Sequence, residues 1–367
     1  MNAVTIGLSS AAGDPRLATT WSGTPANLVS ALREVGVTVI PIDGSLPRPA
    51  RALCRVTDRI LGLPGADCRG FLARVLASKR VNAQCRAAGV KRILHTGTLD
   101  LPLSASKGGL ERYIYCDSTW NLWSRYALEA GKYSARAIRI FDRLEKASFT
   151  QARHLFPIGH YVKENLIAHY GIAAEKISPA GTGRGKIPPF LGYKDYATGP
   201  ILFVAKDRFA EKGGQLLLDS FALAVARNPN CKLVLAGKGA VCSPRQNVTI
   251  AGHVSWEELQ RLFETAALFA MPAFNEAWGM VYLEAFACKT PILGLRRNSI
   301  PELTQNGRFG FVVDEPEPKQ VCEAILTAVS NPQKLAQMGE QAQSFCLDGF
   351  SWVRTATLIR DHLLKNP

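Results

Sequence analysis

The feature that most constrains the fold is an alternation of short apolar runs with amphipathic segments in both halves of the 367-residue chain. In the first half, a β-branched run at 4–9 is followed by helical spacing over 27–35 and by a second run at 37–42. Strand–helix–strand order with short connections is typical of parallel sheets, because parallel strands need a crossover that is usually a helix. The pattern therefore predicts the α/β fold class.

A second series of the same kind begins with the run at 201–205 and extends to a helical segment at 352–364. The stretch between the two series, 179–199, is rich in Gly and Pro, as linkers are. A chain of this length also suits two domains better than one core. We therefore expect an N-terminal domain over 1–192, a C-terminal domain over 193–348 and a last helix over 349–367.

Cysteine usage and apolar run length limit the class of protein. The nine cysteines are scattered and form no Cys-x-x-Cys pair, which argues against a disulfide framework or a zinc site. No apolar run approaches the ~20 residues that span a bilayer. The first residues, 1–6, lack the basic region of a signal peptide. We therefore expect reduced thiols in a cytoplasmic protein.

The positive charge lies almost entirely in the N-terminal half. The formal net charge is +14; residues 1–192 hold 26 Lys and Arg against 13 Asp and Glu, whereas residues 193–367 hold 18 against 17. Ten of the basic residues fall in 51–92, where the only acids are Asp58 and Asp67. Such a field favours anionic partners, which include nucleic acid, a membrane surface and a phosphorylated substrate.

The segment 274–291 carries two glutamates, Glu276 and Glu284, eight residues apart around a glycine. A buried strand is predicted just before the segment, Glu276 falls in the following loop, and Glu284 lies more than one turn into the next helix. The first backbone N–H groups of a helix lack intrahelical partners, so those at 279–281 suit a phosphate or a sugar hydroxyl. From the spacing alone, a helix cap at Glu276 and a solvated face at Glu284 fit equally well.

This segment and its surroundings resemble family 4 of the retaining glycosyltransferases, whose members have the GT-B fold. The resemblance extends upstream to the strand and loop at 201–214, where Lys212 matches the family's lysine and Lys206 falls where an arginine is usual. It extends downstream through 248–255 and 300–312 to the last helix. It is strong from about residue 200 to 313 and looser elsewhere.

The resemblance implies a donor site in the C-terminal domain. Glu284 would bind the ribose hydroxyls of the nucleotide, and Glu276, as a catalytic residue, would lie near the transferred sugar. Lys206 and Lys212 would hold the diphosphate, because the leaving group departs with negative charge that must be neutralised. The remaining donor-binding residues implied are Val254, which would hold the base by backbone contact, and Gly279, Met280 and Val281, which would offer backbone amides.

On the acceptor side the resemblance is looser. Gly23 lies in a Trp-Ser-Gly-Thr-Pro run that resembles the loop after the family's first strand. Many members have a histidine after a later strand, where this chain has Cys116 and Asp117. Asp117 either contacts the sugar or the acceptor hydroxyl as a second catalytic residue, or caps the next helix. His95, at another strand end, is more typical of a structural histidine than of a catalyst.

The resemblance also implies a complete architecture and activity. Two Rossmann-like domains would face each other across a cleft, and the C-terminal helix would cross back to the N-terminal domain. A hexose would pass from a UDP- or GDP-sugar to a glycan or lipid-linked acceptor, with retention and with no metal or other cofactor, in polysaccharide or lipopolysaccharide-type biosynthesis. The basic half fits an anionic acceptor and peripheral contact with the inner face of a membrane. Nucleic acid is not expected as a partner.

Two alternatives explain parts of the same pattern. A nucleotide-sugar epimerase or a sugar phosphorylase keeps the fold, but such enzymes lack the two-glutamate loop or need a cofactor lysine site that this sequence does not show. A non-catalytic basic protein that binds RNA or a membrane explains the charge but not the glutamates. Seven apolar residues among the cations of 51–92 fit either an exposed face or the core: Cys54, Leu61, Leu63, Phe71, Leu72, Val75 and Leu76.

Overall fold

The computed structural model describes residues 4–63, 69–101, 109–239 and 245–365. These residues fall into two compact units. The first unit consists of the described residues within 1–125, 129–183 and 351–367. The second consists of those within 126–128 and 184–350. Apart from the short excursion at 126–128, the chain passes from the first unit to the second at 183/184, upstream of the expected 192/193 boundary.

The boundary lies upstream because the Gly/Pro-rich segment packs on the second unit. Lys194 is 4% exposed, and its ammonium group donates to the carbonyl oxygens of Phe263 at 2.7 Å and Ala266 at 2.9 Å and to the hydroxyl of Thr290. Burial lowers the pKa of Lys194 to about 7. Phe190 N–H donates to the Ala287 carbonyl at 3.0 Å. A segment held by these contacts belongs to the second unit and is not a free linker.

The first unit is built on one parallel sheet with the strand order β2-β1-β3-β4-β5. Its strands are β1 (Thr5–Ser10), β2 (Thr38–Asp43), β3 (Arg92–Thr96), β4 (Glu111–Cys116) and β5 (His154–Pro157). Its helices up to the boundary are α1 (Thr24–Glu34), α2 (Arg48–Ile60), α3 (Phe71–Ala87), α4 (Trp120–Tyr126), α5 (Ala135–Gln151) and α6 (His160–Ala168). The order reverses between β1 and β3.

The second unit is built on another parallel sheet, with the order β8-β7-β6-β9-β10-β11. Its strands are β6 (Ile201–Val204), β7 (Leu233–Ala236), β8 (Val248–Gly252), β9 (Leu268–Ala270), β10 (Ile292–Leu295) and β11 (Gly310–Val313). Its helices are α7 (Gly214–Arg227), α8 (Trp256–Thr265), α9 (Met280–Ala287), α10 (Ile300–Leu303), α11 (Pro318–Val329) and α12 (Pro332–Gly349). This order is that of a dinucleotide-binding Rossmann sheet, with its reversal between β6 and β9.

The parallel pairing confirms the predicted α/β class. All strand pairs in both sheets run parallel. Every residue of β9 and of β10 is buried, as expected for strands whose two faces are both covered by helices. Such strands appear in the sequence as continuous apolar runs, which is why their positions could be predicted.

The last helix, α13 (Trp352–Lys365), belongs to the first unit. It packs against α1, and the Arg360 guanidinium donates to the carbonyl oxygen of Val35 at 3.3 Å. The ring of His362 lies 3.8 Å from that of His154, between centroids. The chain therefore returns to the first unit at its end, as the resemblance implied.

The described residues show the state of most cysteines and the apolar character of the helices. Seven of the nine cysteines lie among them, all buried and none in a disulfide. Cys68 and Cys242 lie outside the described residues. Within the same residues, no helix combines the length and the apolar character that crossing a bilayer requires.

The C-terminal turn of α9 shows how a lysine replaces the glycine that commonly ends a helix. Lys289 adopts a left-handed φ of 56°. The N–H of Thr290 donates to the Ala285 carbonyl at 2.9 Å, and the N–H of Lys289 to that of Phe286 at 2.9 Å, which is the Schellman pattern. The Lys289 ammonium lies 2.9 Å from a carboxylate oxygen of Glu340. The side chain thus makes an ion pair in a backbone conformation that favours glycine.

We expect Lys289→Gly to have a free energy of unfolding about 1 kcal/mol higher than that of Lys289→Ala. Both substitutions remove the ion pair with Glu340, but only glycine adopts the left-handed φ without a steric cost. Urea unfolding of the two variants measures the difference. Equal midpoints would show that the turn carries no strain.

Candidate functional site

Three of the predicted site residues lie on the loops that follow β6 and β9, the two strands between which the order of the second sheet reverses. Lys206 and Lys212 lie between β6 and α7, and Glu276 lies between β9 and α9. The two loops touch, since the N–H of Phe274 donates to the Glu211 carbonyl at 2.9 Å. In open α/β sheets, ligands bind outside the carboxyl ends of the strands at this reversal.

Lys212 and Glu276 form an ion pair at this place. Their side chains are 12% and 18% exposed. Burial of the ammonium group, reinforced by the nearby Arg208 guanidinium, lowers the pKa of Lys212 to about 8. A cation and a carboxylate that are both largely withdrawn from water interact strongly with any charge that enters beside them. The structure therefore gives neither side chain a solvated position.

Helix α9 begins directly after the loop that carries Glu276. Its N-cap, Gly279, has a left-handed φ of 77°. A Cβ there would lie 2.6 Å from the Tyr282 ring and 3.0 Å from Cγ of Glu276, so only glycine fits. The N–H groups of Met280 and Val281 belong to the first turn, where helices bind anions. The Glu276 side chain and the start of α9 are thus adjacent.

Glu284 lies inside α9 and is 7% exposed. One of its carboxylate oxygens accepts a hydrogen bond from the N–H of Lys186 at 3.0 Å. Burial raises the pKa of Glu284 to about 7, and the Lys186 N–H and ammonium act in the opposite direction. The alternative of a solvated helix face is therefore wrong for Glu284.

The other two predicted donor residues are less enclosed. Lys206 follows β6 immediately and is exposed. Val254 is half-buried in the loop after β8, two strands from β6 in the sheet. Both lie at the carboxyl edge of the sheet, as predicted. Of the two lysines, only Lys212 is withdrawn from water, so the two are not equivalent.

Two residues after β10, Asn298 and Ser299, hold the Glu276 loop in place by hydrogen bonds. They were not identified as site residues from the sequence. The Asn298 amide donates to the Asn275 side chain at 3.0 Å and to the Glu276 carbonyl at 3.1 Å. The Ser299 hydroxyl donates to the Trp278 carbonyl at 2.8 Å. Asn298 adopts a left-handed φ of 48°, which asparagine tolerates better than most residues. The loop that carries Glu276 is thus held from a neighbouring strand end.

Gly185, in the segment predicted to be a linker, was also missed. A Cβ on Gly185 would lie 1.8 Å from the Glu284 carboxylate oxygen that Lys186 N–H contacts. This close approach is possible only without a side chain. Gly185 and the Lys186 amide therefore position the Glu284 carboxyl group.

We expect Gly185→Ala to weaken nucleotide binding at least tenfold, because the new methyl group displaces the Glu284 carboxyl group from its place. Isothermal titration with the preferred nucleoside diphosphate measures the loss. Gly349→Ala is the matched control, since a Cβ there would meet no atom within 4 Å. If Gly185→Ala bound the nucleotide as tightly as the control, the position of Glu284 would not matter for binding.

On the predicted acceptor side, Asp117 contacts Trp21, which precedes Gly23 by two residues in the chain. The Asp117 carboxylate accepts a hydrogen bond from the Trp21 side chain, and burial raises the pKa of Asp117 to about 6. Trp21 adopts a left-handed φ of 41°, two residues before Gly23 at the start of α1. The cap of α4 is Thr119, whose hydroxyl accepts from the N–H of Leu122 at 3.2 Å. The capping role considered for Asp117 therefore belongs to Thr119.

His95 has a structural environment, as its sequence context indicated. It is fully buried, and one ring nitrogen lies 3.0 Å from both the Ser9 hydroxyl and an Asp100 carboxylate oxygen. The other ring nitrogen lies 3.2 Å from the Arg112 guanidinium. Every nitrogen of the ring thus has a partner inside the protein core.

Comparison with known proteins connects this geometry to a family. The residues from 193 to 345 match the family described as glycosyl transferases group 1. This range contains every predicted donor residue and both loops at the sheet reversal. The matched residues make up less than half of the chain. They coincide with most of the second unit.

Curated proteins are similar to about half of the chain. The chain is 26% identical over 199 residues to a GDP-mannose-dependent alpha-(1-6)-phosphatidylinositol monomannoside mannosyltransferase of Mycolicibacterium smegmatis, covering 50% of this chain and 51% of that protein. It is 27% identical over 216 residues to a D-inositol 3-phosphate glycosyltransferase of Pseudarthrobacter chlorophenolicus, covering 53% and 51%. The chain therefore aligns with about half the length of these relatives.

Solved structures extend the similarity from the matched residues to the whole chain. A sucrose-phosphate synthase from Thermosynechococcus elongatus has a TM-score of 0.73 at 16% identity, covering 99% of this chain and 98% of that chain. WaaG, a glycosyltransferase involved in lipopolysaccharide biosynthesis, has a TM-score of 0.66 at 15% identity, covering 98% of both chains. Likeness at this identity establishes the fold, which is GT-B.

Proposed function

We propose that the protein is a retaining glycosyltransferase that moves a hexose from a UDP- or GDP-sugar to a glycan or lipid-linked acceptor. The observation that carries the proposal is the ion pair of Lys212 and Glu276 at the strand reversal of the second sheet, within the residues that match the group 1 family and beside the start of α9. Retention, the donor class and independence from metal are parts of the proposal that rest on the family resemblance.

The chain's own residues can perform the steps that such a transfer requires. Lys212, with Lys206 at the rim, would neutralise the charge that develops on the departing diphosphate, so positive charge is available there without a metal ion. The amides of Gly279, Met280 and Val281 would hold the β-phosphate and the sugar. Glu276 would orient the sugar hydroxyls.

Glu284 and Val254 would hold the nucleoside part of the donor. The Glu284 carboxylate would accept hydrogen bonds from the ribose hydroxyls, which requires its ionised form. The backbone at Val254 would contact the base. A base held by backbone does not discriminate strongly between uracil and guanine, so both donor classes remain in the proposal.

The acceptor is proposed to carry phosphate and to bind the first unit, with Gly23 and Asp117 near its reactive hydroxyl. The mannosyltransferase relative is named for a phosphatidylinositol mannoside, and the other for inositol phosphate. An excess of cations in 1–192 complements such an anionic acceptor. Asp117, with a pKa of about 6, would be ionised at neutral pH and able to accept the hydroxyl proton. We place the reaction at the cytoplasmic face of a membrane, in polysaccharide or lipopolysaccharide-type biosynthesis, without nucleic acid as a partner.

Thermal unfolding with a panel of UDP, GDP, ADP and their hexose conjugates tests the donor half. A ligand that binds the native state raises the midpoint, and we expect UDP or GDP and the matching sugar conjugate to do so. Nucleotide release is then measured with and without candidate phosphorylated glycans. Release only with an acceptor supports transfer, whereas interconversion of the donor without an acceptor would indicate an epimerase. If no nucleotide raised the midpoint, the enzyme proposal would be wrong, and a non-catalytic basic protein would be the better explanation.

A further inference from the structure

Helix α2 in the first unit carries a basic stripe along its exposed surface. Four arginines recur at spacings of three and four residues, so they align along one side of the helix. All four are exposed, and they are Arg48, Arg51, Arg55 and Arg59. The single acid of α2, Asp58, is buried, and burial raises its pKa. The exposed surface of α2 is therefore cationic without exposed acids of its own.

An apolar stripe runs along the same helix beside the arginines. Leu53, Val56 and Ile60 also recur at helical spacing and are 56%, 56% and 78% exposed. The side of α2 that faces the core is a different one, marked by the buried Cys54 and Asp58. Large aliphatic side chains exposed in a row are uncommon on a soluble surface and mark an interaction site.

Large apolar side chains are also exposed beyond the end of α2. Of the seven apolar residues left open between core and surface, Cys54 and Leu63 belong to the core, whereas Leu61 and Phe71 are 50% and 59% exposed. Leu61 follows α2 directly, and Phe71 begins α3, which packs on α2. The remaining three are half-buried: Leu72, Val75 and Leu76. Leu61 and Phe71 thus add two large exposed apolar side chains to the pair formed by α2 and α3.

We propose that α2, together with Leu61 and Phe71, is the surface by which the protein docks on an anionic lipid bilayer. An interfacial helix requires both features, aliphatic side chains that enter the boundary with the acyl chains and cations that meet anionic headgroups. RNA would use the arginines but has no use for a row of aliphatic side chains. The residues that dominate protein interfaces are rich in Trp, Tyr and Arg but poor in Leu and Val, so a partner protein fits the row of aliphatic side chains less well. The inference deepens the proposed function by naming the membrane partner.

Flotation with phospholipid vesicles tests the proposal on the full chain. We expect binding to vesicles of phosphatidylcholine with phosphatidylglycerol, weaker binding to phosphatidylcholine alone, and loss of the difference at high salt. Arg51→Gln with Arg55→Gln should lower partitioning into the anionic vesicles about 25-fold, since each cation contributes about fivefold. Leu53→Gln with Ile60→Gln should lower it at least tenfold for both lipid compositions.

Matched controls come from exposed residues of the second unit. Leu223→Gln on α7 and Arg261→Gln on α8 change the same residue types outside α2 and should leave partitioning unchanged. Nucleotide-induced stabilisation should be intact in all the α2 variants, and Glu284→Gln should still float with the vesicles. The membrane proposal and the proposed function can therefore fail separately. Absence of binding to the anionic vesicles, or equal binding by wild type and both α2 double variants, would overturn the proposal and leave α2 as a surface for another partner.

Discussion

Glu284→Gln is expected to raise the stability of the ligand-free protein at pH 8. The carboxyl group has a pKa of about 7 in the folded protein, against 4.5 for a glutamate in water, because it is buried. Between these values the folded state holds the proton that the unfolded state has lost, so the group's contribution to stability falls as the pH rises through the window. The shift corresponds to about 3 kcal/mol above pH 7. Glutamine avoids this cost and still accepts the hydrogen bond from Lys186.

Urea unfolding at pH 5 and at pH 8 measures this effect. The variant should exceed the wild type by up to about 3 kcal/mol at pH 8 and by much less at pH 5. An advantage that did not change with pH would show that the ionised carboxylate is not the source of the cost.

The same variant is expected to lose about 10²-fold in nucleotide affinity, because hydrogen bonds to a charged group contribute about 1.5–3 kcal/mol each and ribose offers two hydroxyls. For the wild type, affinity should fall as the pH falls below about 7, where the carboxyl group is protonated. The pH dependence should be absent from the glutamine variant, which isothermal titration can establish. Unchanged affinity in the variant would remove Glu284 from the nucleotide site.

Lys212→Met is expected to lower kcat/KM for transfer about 10²–10³-fold, the size of effect seen when a preorganised charge is removed from a water-excluded site. Lys206→Met should cost about tenfold or less, because Lys206 is exposed and water screens its charge. Initial rates of nucleotide release with the acceptor measure both. Equal losses for the two lysines would show that burial of Lys212 does not set its contribution.

A double variant separates catalysis from stability at this pair. Lys212→Met leaves Glu276 as an unpaired carboxylate that is 18% exposed, so the variant should also be less stable. Adding Glu276→Gln removes that charge and should restore much of the stability, but not the rate. Recovery of the rate in the double variant would mean that Lys212 acts only by holding the fold together.

Much of the donor half could be predicted because its signals are local. Strands buried on both faces leave continuous apolar runs, and the spacing of Glu276, Gly279 and Glu284 around a helix start is visible in the sequence. The ion pair of Lys212 and Glu276 could not be predicted, because it depends on contact between two loops that are far apart in the chain. That contact follows only once β6 and β9 are known to be neighbours.

Residues that act through the backbone left no signal. Gly185 and the Lys186 amide position Glu284, but a backbone N–H has no side-chain signature, and the surrounding glycines and prolines indicated a linker. The sequence around Asn298 likewise shows no sign of its bonds to the Glu276 loop. Helix α4 is short and aromatic, with no clear period, so it was not predicted. For α2, the sequence does not show which side of the helix faces the core, so the exposure of Leu53, Val56 and Ile60 could not be predicted.

The return of α13 to the first unit has a consequence for synthesis of the chain. The first unit is assembled from 1–183 and 351–367, which flank nearly all of the second. During translation, synthesis of the second unit is therefore complete before synthesis of the first unit is. The ring contact of His362 with His154 and the bond from Arg360 to Val35 are among the last to become available. The unit whose translation starts first is the one that is completed last.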